Sequence, residues 1–291
     1  MLATGTLRLP PLLALLAVQV LFGLHPVVSK LAFPAFGPGG VSAARAVGAA
    51  VVFWLAARVA GEPPVPRELW PRLALASLLG VVSNQLLFMY GLALTSATHA
   101  TLIIATIPVA TLAIAILSRR EALRWHRAVG IGMALVGAGL VLAERGTTGP
   151  GGLLGDLMVA SNAVAYAAYL VLSRDLLQRV SPLSLAAWLF GLGAPVVLAF
   201  TGLPPVAGPP PEAWWALGFV VLGPTIGTYF LNLFALRDVP ASVVAVFICL
   251  QPLVTGAFAA RWLGEAITPT TAGAAILTLA GVVLATRPAR A

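Results

Sequence analysis

The second half of this chain repeats the first at a constant offset of 144 residues, and this duplication limits what the chain can fold into. Four matched pairs carry the clearest pattern: Ala97 with Ala241, Pro108 with Pro252, Thr111 with Thr255, and Glu121 with Glu265. Two copies of this length are too few for a solenoid, so the sequence predicts one internal duplication. We place the first repeat at residues 1–148 and the second at residues 149–291.

The composition places both repeats in a lipid bilayer. Of 291 residues, 60% are hydrophobic and only 9% are charged, and the mean hydropathy is +0.99. So little polar surface cannot enclose a core of this size in water. The net charge is +8, but the basic residues only separate apolar runs and form no continuous patch. Anionic membrane lipids are therefore the expected partner, and nucleic acid is not.

Ten apolar segments are each long enough to cross a bilayer, which takes about 20 residues for roughly 30 Å of hydrocarbon. We predict spans at 11–32, 40–60, 72–92, 96–117, 126–143, 154–173, 181–201, 213–235, 240–260 and 268–286. The first segment has a counterpart at 155–177, so we expect it to be a span and not a cleaved signal peptide. The fold class is therefore an all-α polytopic membrane protein of ten transmembrane helices, five in each repeat.

The lysine and arginine residues of the loops predict the orientation of the spans. With the N-terminus in the cytoplasm, thirteen of these residues lie on the cytoplasmic side, three lie on the other side, and Arg45 lies within span two. Both termini are thus predicted to be cytoplasmic. Because five spans are an odd number, the second repeat enters the membrane in the opposite sense. Inverted repeats of this kind give many secondary transporters alternating access to one central site.

Polar and aromatic residues within the spans predict a central substrate cavity. Asn162, Tyr166, Tyr169 and Ser173 share one face of span six. Polar groups at membrane depth are costly, so we expect such faces to converge. The predicted substrate-binding residues are His25, Asn84, Gln85, His99, Asn162, Tyr166, Tyr169, Trp188, Tyr229, Asn232 and Gln251. Hydrogen bonding between helices is the alternative for any single polar residue, and an interfacial position is the alternative for Trp188.

Charged residues and prolines in the spans suggest further roles. Lys30 and Arg45, toward the outer ends of spans one and two, are predicted either to attract a carboxylate or phosphate or to reach the interface. Pro108 and Pro252 are predicted hinges, with a static kink as the alternative. All nine acidic residues fall in loops or at span ends, so we expect no buried acid and therefore facilitated export. A histidine is the remaining candidate for carrying a proton.

The residues that support other classes of chemistry are missing. The single cysteine, Cys249, and three histidines without metal-ligand spacing predict no disulfide, no metal site and no cofactor. No set of nucleophile and base appears at membrane depth. We therefore predict that the protein is not an enzyme, and an intramembrane enzyme stays a remote alternative.

Several short motifs, taken in order, resemble the drug/metabolite transporter superfamily and its ten-span EamA-type exporters. They are Phe22-Gly23 and Lys30 in span one, Arg45 in span two, Pro108 followed by Glu121, the glycine-rich span five, Gly155-Asp156, Pro252 and Glu265. Phe22 departs from the pattern, because the family usually has tryptophan there. The similarity covers nearly the whole chain.

This resemblance implies a bacterial inner-membrane exporter of amino acids or other small metabolites. The aromatic residues Tyr166, Tyr169, Tyr229 and Trp188 are similar to what an aromatic amino acid exporter would need, because rings would stack on the substrate side chain. Export of drugs or of other metabolites is an alternative, and exchange of phosphate-linked compounds would need more cations in the cavity than Lys30 and Arg45. The sequence leaves open the substrate, the energy source and whether the protein works as a monomer.

Overall fold

The computed structural model describes residues 9–118, 125–143, 152–204, 208–239 and 241–286, and every regular element in these ranges is helical. The α-helices are α1 (Leu9–Val59), α2 (Trp70–Ser77), α3 (Met89–Leu94), α4 (Ala97–Ile104), α5 (Ile107–Leu117), α6 (Trp125–Ala143), α7 (Gly152–Leu176), α8 (Pro182–Thr201), α9 (Pro211–Val221), α10 (Thr228–Asp238), α11 (Ala241–Phe247), α12 (Gln251–Trp262) and α13 (Pro269–Thr286). Glu121, one of the repeated residues, lies outside these ranges.

Tighter and wider helical turns join some of these helices into longer rods. Two 3₁₀ turns lie at Arg67–Leu69 and Ile248–Leu250, and π-helical segments lie at Leu78–Val82, Asn84–Phe88 and Leu222–Gly227. Span three is thus one rod from Arg67 to Leu94, and span eight is one rod from Pro211 to Asp238. The π-helical segments at residues 78 and 222 begin 144 residues apart, so both repeats have the wider helical turn at the same position.

Most predicted spans are present as long apolar helical rods. Six stretches of the described residues are long and apolar enough to cross a membrane: Leu13–Val59, Arg67–Leu94, Ala97–Leu117, Gly152–Leu176, Pro182–Thr201 and Pro211–Asp238. Spans five, nine and ten correspond to α6, to α11 with α12, and to α13. Large apolar side chains such as Leu55, Phe200 and Trp215 are exposed on the outside of the bundle, as lipid contact requires.

The first of these stretches contains two spans. A straight helix of its 47 residues would be about 70 Å long, more than twice the hydrocarbon thickness. Gly37 interrupts it with φ 64° and ψ 168°, a conformation that glycine adopts readily. The sequence predicted a connection of seven residues between spans one and two. The structure instead has helix on both sides of Gly37, because this residue makes the break and Pro38 suits the start of the next helix.

The two repeats are related by a pseudo-two-fold axis. A methyl group added at Gly137 of α6 would lie 2.9 Å from the Ala274 carbonyl oxygen of α13. A methyl group added at Gly281 of α13 would lie 2.6 Å from the Gly130 carbonyl oxygen of α6. These are the same two positions with the repeats exchanged, which is how a two-fold contact behaves. With five spans in each repeat, such an axis lies in the membrane plane, so the repeats are inverted.

Spans four and nine are interrupted at matched positions. In span four, α4 ends at Ile104 and α5 begins at Ile107, with Pro108 as its second residue. In span nine, Pro252 is likewise the second residue of α12, after a 3₁₀ turn. Proline lacks an N–H group, and the first turn of a helix is where that group has no intrahelical partner. Each proline therefore marks the start of a new helix within its span, while a hinge motion there stays a prediction.

Candidate functional site

A partly enclosed cavity lies at the centre of the bundle, between the two repeats. Most of its lining comes in pairs 144 residues apart: Val18 with Asn162, Phe22 with Tyr166, Phe88 with Asn232, Ile104 with Ile248, and Ile107 with Gln251. The cavity therefore lies on the pseudo-two-fold axis. In three of these pairs, an apolar residue of the first repeat faces an amide of the second.

Six of the predicted binding residues line this cavity, and two polar residues that the sequence reasoning missed line it as well. The six are His25, Asn84, Asn162, Tyr166, Asn232 and Gln251. The two missed residues are Gln19 and Thr101. Gln19 accepts a hydrogen bond of 2.7 Å from Gln251 Nε2, across the two repeats. A lone glutamine in the apolar span one was the signal for it, and it lies one turn before Phe22.

Several buried amide atoms at the cavity have no hydrogen-bond partner in the structure. Asn162 is fully buried, and neither its Oδ1 nor its Nδ2 atom is paired. Asn232 donates to the Tyr166 hydroxyl at 3.0 Å, but its Oδ1 is unpaired. Nε2 of His25 is also unpaired, and the ring of this residue stacks on Phe88 at 5.4 Å. Buried polar groups are normally paired, so these atoms are suited to a bound molecule or to water.

A buried arginine lies directly behind the cavity wall. Arg45 is fully buried, which contradicts the alternative that it reaches the membrane interface. Its Nε donates to Thr225 Oγ1 at 2.7 Å, and one terminal nitrogen donates to Asn84 Oδ1 at 3.3 Å. The other terminal nitrogen has no partner. None of the acidic residues described in the structure forms an ion pair with Arg45. A buried charge without a counter-ion is costly, so this position favours an anion.

Lys30, the second predicted cation, does not join Arg45. It is half-buried on α1, and the Glu265 carboxylate acts on its charge. Glu265 itself lies at the start of α4, where Oε1 accepts from the Ala97 N–H at 2.7 Å. Its Oε2 accepts from the N–H and the hydroxyl of Thr98 at 3.0 and 2.8 Å. This carboxylate therefore caps a helix of the first repeat from a loop of the second.

Two of the predicted tyrosines and one glutamine form the layer behind the cavity. The ring of Tyr169 lies against Gly80 so closely that a methyl group there would overlap it. Tyr229 donates its hydroxyl to the Gly80 carbonyl oxygen, within the π-helical segment of span three. The side-chain amide of Gln85 is buried and unpaired, and its main-chain oxygen accepts from Ser42 Oγ at 2.5 Å. These residues support the wall and do not line the cavity.

Trp188 lies farther away, at the outside of the bundle. Its ring packs against Trp54 and Trp70, with ring centres 5.9 and 5.3 Å apart. It is half-buried, and no cavity residue is its ring partner. The structure therefore places Trp188 in a tryptophan cluster of spans two, three and seven.

His99 lies beside Asp156 and not in the cavity. The His99 Nδ1 atom is 3.7 Å from Asp156 Oδ2, and Thr95 donates its hydroxyl to Asp156 Oδ1 at 2.5 Å. Asp156 is near the end of its helix, as expected, but only 2% of its surface is exposed. The expectation that no acidic residue is buried is therefore wrong. Burial follows from packing of α7 on α3 and α4, which the sequence of α7 alone does not reveal.

A helical membrane bundle of two inverted five-span repeats, with a polar cavity on the axis between them, has the architecture of a secondary transporter. The sequence matches the EamA-like transporter family twice, over residues 9–143 and 153–287. The chain therefore belongs to the EamA-like transporter family. A small-molecule substrate and a membrane location follow from this membership.

Similar proteins support the same class. The chain is 29% identical over 223 residues to an uncharacterized transporter of Archaeoglobus fulgidus, covering 75% of this chain and 76% of that protein. It is 28% identical over 280 residues to a probable terminal-alkyne amino-acid exporter of Streptantibioticus cattleyicolor, covering 88% of this chain and 89% of that protein. A solved crystal structure superposes with a TM-score of 0.67 at 20% identity, covering 94% of this chain and 96% of that one, which shows a common fold.

Proposed function

We propose that this transporter exports amino acids, including aromatic ones, across the inner membrane of a bacterium by alternating access. Both chain ends then lie in the cytoplasm, as the loop charges favour. The similarity to the probable terminal-alkyne amino-acid exporter of Streptantibioticus cattleyicolor supports this choice of substrate class. The four aromatic rings of Phe22, His25, Phe88 and Tyr166 around the cavity support the aromatic preference.

Arg45 is the observation that carries the proposal. Its guanidinium is buried, lacks an acidic partner among the described residues, and is bonded to Asn84 of the cavity wall. A substrate carboxylate reaching Asn84 would supply the missing negative charge, and guanidinium groups pair well with carboxylates. The unpaired oxygens of Asn162 and Asn232 are acceptors for the substrate ammonium group. An amino acid carries both groups on one carbon.

Exchange between labelled and unlabelled compounds in proteoliposomes tests this function. Vesicles filled with unlabelled phenylalanine are given labelled phenylalanine, tyrosine, tryptophan or alanine. Two analogues are added as competitors: phenethylamine, which lacks the carboxylate, and 3-phenylpropionate, which lacks the ammonium group. We expect each analogue to compete about tenfold or more weakly than phenylalanine, because one lost bond to a charged group is worth roughly 1.5–3 kcal/mol.

Each outcome bears on a separate part of the proposal. Faster exchange of the three aromatic amino acids than of alanine supports the aromatic preference, and equal rates remove it. Competition by phenethylamine as strong as that by phenylalanine would indicate a drug-type exporter of amines. No exchange of any amino acid would overturn the proposed substrate class.

A further inference from the structure

The seam between the two repeats contains a buried acid and imidazole that the proposed export reaction does not use. Asp156 of α7 and His99 of α4 expose 2% and 1% of their surfaces. Thr95 donates to one Asp156 oxygen at 2.5 Å, and His99 Nδ1 lies 3.7 Å from the other. His99 and Thr95 belong to the first repeat, and Asp156 belongs to the second. The pair therefore crosses the surface that must part when the cavity opens at this end.

Asp156 differs from the other acidic residues that the structure describes. Each of those is half-buried or exposed, and Asp156 alone is buried. No lysine or arginine of the described ranges forms an ion pair with it. Ionisable residues buried within membrane proteins are expensive and commonly lie on proton or ion pathways. A salt bridge that merely holds the fold together would instead need a cationic partner with good geometry.

Few other titratable groups face this seam. Glu265 lies at the first turn of α4, where it accepts bonds from Ala97 and Thr98, and its charge acts on Lys30. Tyr90 of α3 has its hydroxyl near Gly39 of α1. Glu144 and Arg145 precede α7 in the sequence, but they lie outside the described residues. Among the groups that the structure places here, Asp156 and His99 form the closest titratable pair.

The seam around this pair is tightly packed. A methyl group added at Gly155 would lie 2.7 Å from the Gly91 carbonyl oxygen and 2.8 Å from Leu94 Cβ. Closing the seam therefore removes water from Asp156. A carboxylate without a counter-charge resists this step, whereas a pair that holds one proton is neutral as a whole and accepts it.

We propose that the Asp156–His99 pair couples export to proton entry, with one proton carried inward for each substrate molecule carried outward. When this end is open, water reaches the pair and the proton is bound. The neutral pair then allows the seam to close, and the proton leaves when the opposite end opens. In the outward transition the cavity holds a substrate molecule and the pair holds no proton. This goes beyond the proposed function, on which it rests, by naming the energy source, and it replaces the facilitated export expected from the sequence.

Vesicles with an acidic lumen test the coupling. Labelled phenylalanine should accumulate inside them above its equilibrium level as protons leave, whichever way the protein is inserted. Asp156→Asn keeps an acceptor for the Thr95 hydroxyl but is always neutral. We expect this variant to lose the accumulation and to retain exchange of phenylalanine for phenylalanine, because Asp156 does not line the cavity. Asp156→Glu should restore part of the accumulation, and the exposed Glu68→Gln should behave as the unaltered protein.

A second measurement needs no substrate. With Cys249 replaced by alanine, Leu94→Cys reports on the seam and Glu212→Cys reports on an exposed site. Both are labelled with a maleimide in lipid nanodiscs, where both faces are accessible. At pH values well below the pKa of both thiols, the two thiolate fractions fall equally as the pH is lowered, so the ratio of seam labelling to exposed labelling cancels this effect. We expect this ratio to fall as the pH is lowered, and to be low at every pH when Asp156→Asn is added.

The two measurements separate failure of the coupling from failure of the proposed function. Accumulation by Asp156→Asn equal to that of the unaltered protein would overturn the coupling. So would normal phenylalanine exchange without any accumulation in acidic vesicles. If no amino acid is carried at all, the proposed substrate is wrong, and the labelling ratio still decides about the seam. A ratio that does not change with pH in the protein with native Asp156 overturns the coupling even if Asp156→Asn does not fold.

Discussion

Arg45 is expected to strengthen substrate binding but to lower the stability of the fold. Its guanidinium is buried with two hydrogen bonds and no counter-ion among the described residues. We predict that Arg45→Gln raises the half-saturating phenylalanine concentration by about 10-fold to 100-fold, because bonds to charged groups are worth roughly 1.5–3 kcal/mol. The same change should not lower the thermal unfolding midpoint in detergent, since it removes a buried unpaired charge.

Arg58→Gln is the control for this prediction, because Arg58 is exposed at the end of α1. It should change neither quantity. An unchanged affinity in Arg45→Gln would show that the substrate does not use this charge. Arg45→Lys keeps the charge but loses the planar guanidinium group. Its affinity for phenylalanine should therefore lie between that of the unaltered protein and that of Arg45→Gln.

Asn162 and Thr255 are both fully buried, but only the threonine is paired. Thr255 donates to the Gly23 carbonyl oxygen at 2.6 Å, whereas both polar atoms of Asn162 are unpaired. We predict that Thr255→Val lowers the free energy of unfolding by about 1 kcal/mol, because an acceptor at the interface between repeats loses its donor. Asn162→Leu should leave the free energy of unfolding unchanged or raise it, and it should lower the rate of phenylalanine exchange. Loss of stability in Asn162→Leu without loss of exchange would assign the amide to packing.

The sequence predicts part of this site because helical spacing groups residues into faces. Asn162 and Tyr166 line the cavity as their spacing indicated. Tyr169, on the same face, lies behind the wall because Gly80 leaves room for its ring. The depth of Arg45 and the burial of Asp156 depend on which helices meet across the repeats. Spacing within one span carries no such information.

At the scale of helices, the contact between α6 and α13 depends on small residues. A methyl group at Gly137 would overlap Thr278 Oγ1 and lie 2.9 Å from the Ala274 carbonyl oxygen. The threonine can rotate, but the main-chain oxygen cannot move without shifting α13. We predict that Gly137→Ala lowers the free energy of unfolding by about 1–3 kcal/mol, the usual effect of overpacking. The thermal midpoint in detergent measures it.

Gly132, on the same helix, is the matched control. Nothing lies within 4 Å of a methyl group added there. Gly132→Ala should therefore be neutral or slightly stabilising, since alanine favours helix more than glycine by about 1 kcal/mol. If both variants lose the same stability, close packing at Gly137 is not the cause.

Hydropathy locates the spans, but it does not reveal their internal breaks. Pro108 and Pro252 predicted bends, and the structure has a new helix beginning at each. The 3₁₀ turn at Ile248–Leu250 and the π-helical segments are not marked by any residue pattern that would distinguish them from ordinary kinks. Pro224, in the π-helical segment of span eight, is the exception. These turns follow from how neighbouring helices pack, so they appear only when the bundle is complete.

For the whole molecule, inversion makes a prediction about two equivalent surface residues. Glu68 and Glu212 stand 144 residues apart, and both are exposed near the start of a long rod. We predict that single cysteines at these positions, with Cys249 replaced by alanine, are labelled from opposite faces of the membrane. Glu68→Cys should react with an impermeant maleimide only after cells are permeabilised, and Glu212→Cys should react on intact cells. Labelling of both from one face would exclude inverted repeats.

The duplication made the overall architecture predictable, because one odd number of spans fixes the sense of the second repeat. The structure adds that α6 and α13 pack through the same positions with the repeats exchanged. It also adds the central cavity, whose lining comes from residues far apart in sequence. A single sequence locates the apolar segments but not the order in which they surround the axis.

The paired lining of the cavity bears on how this chain could have arisen from a shorter one. Two identical five-helix subunits would place the same side chain on both sides of the axis, so a bound molecule would contact two equivalent walls of the cavity. Here Val18, Phe88 and Ile107 oppose Asn162, Asn232 and Gln251. In a single chain the two repeats can differ at such positions, so the two sides of the axis are no longer equivalent. A molecule with one charged end and one apolar end can then be bound in a single orientation.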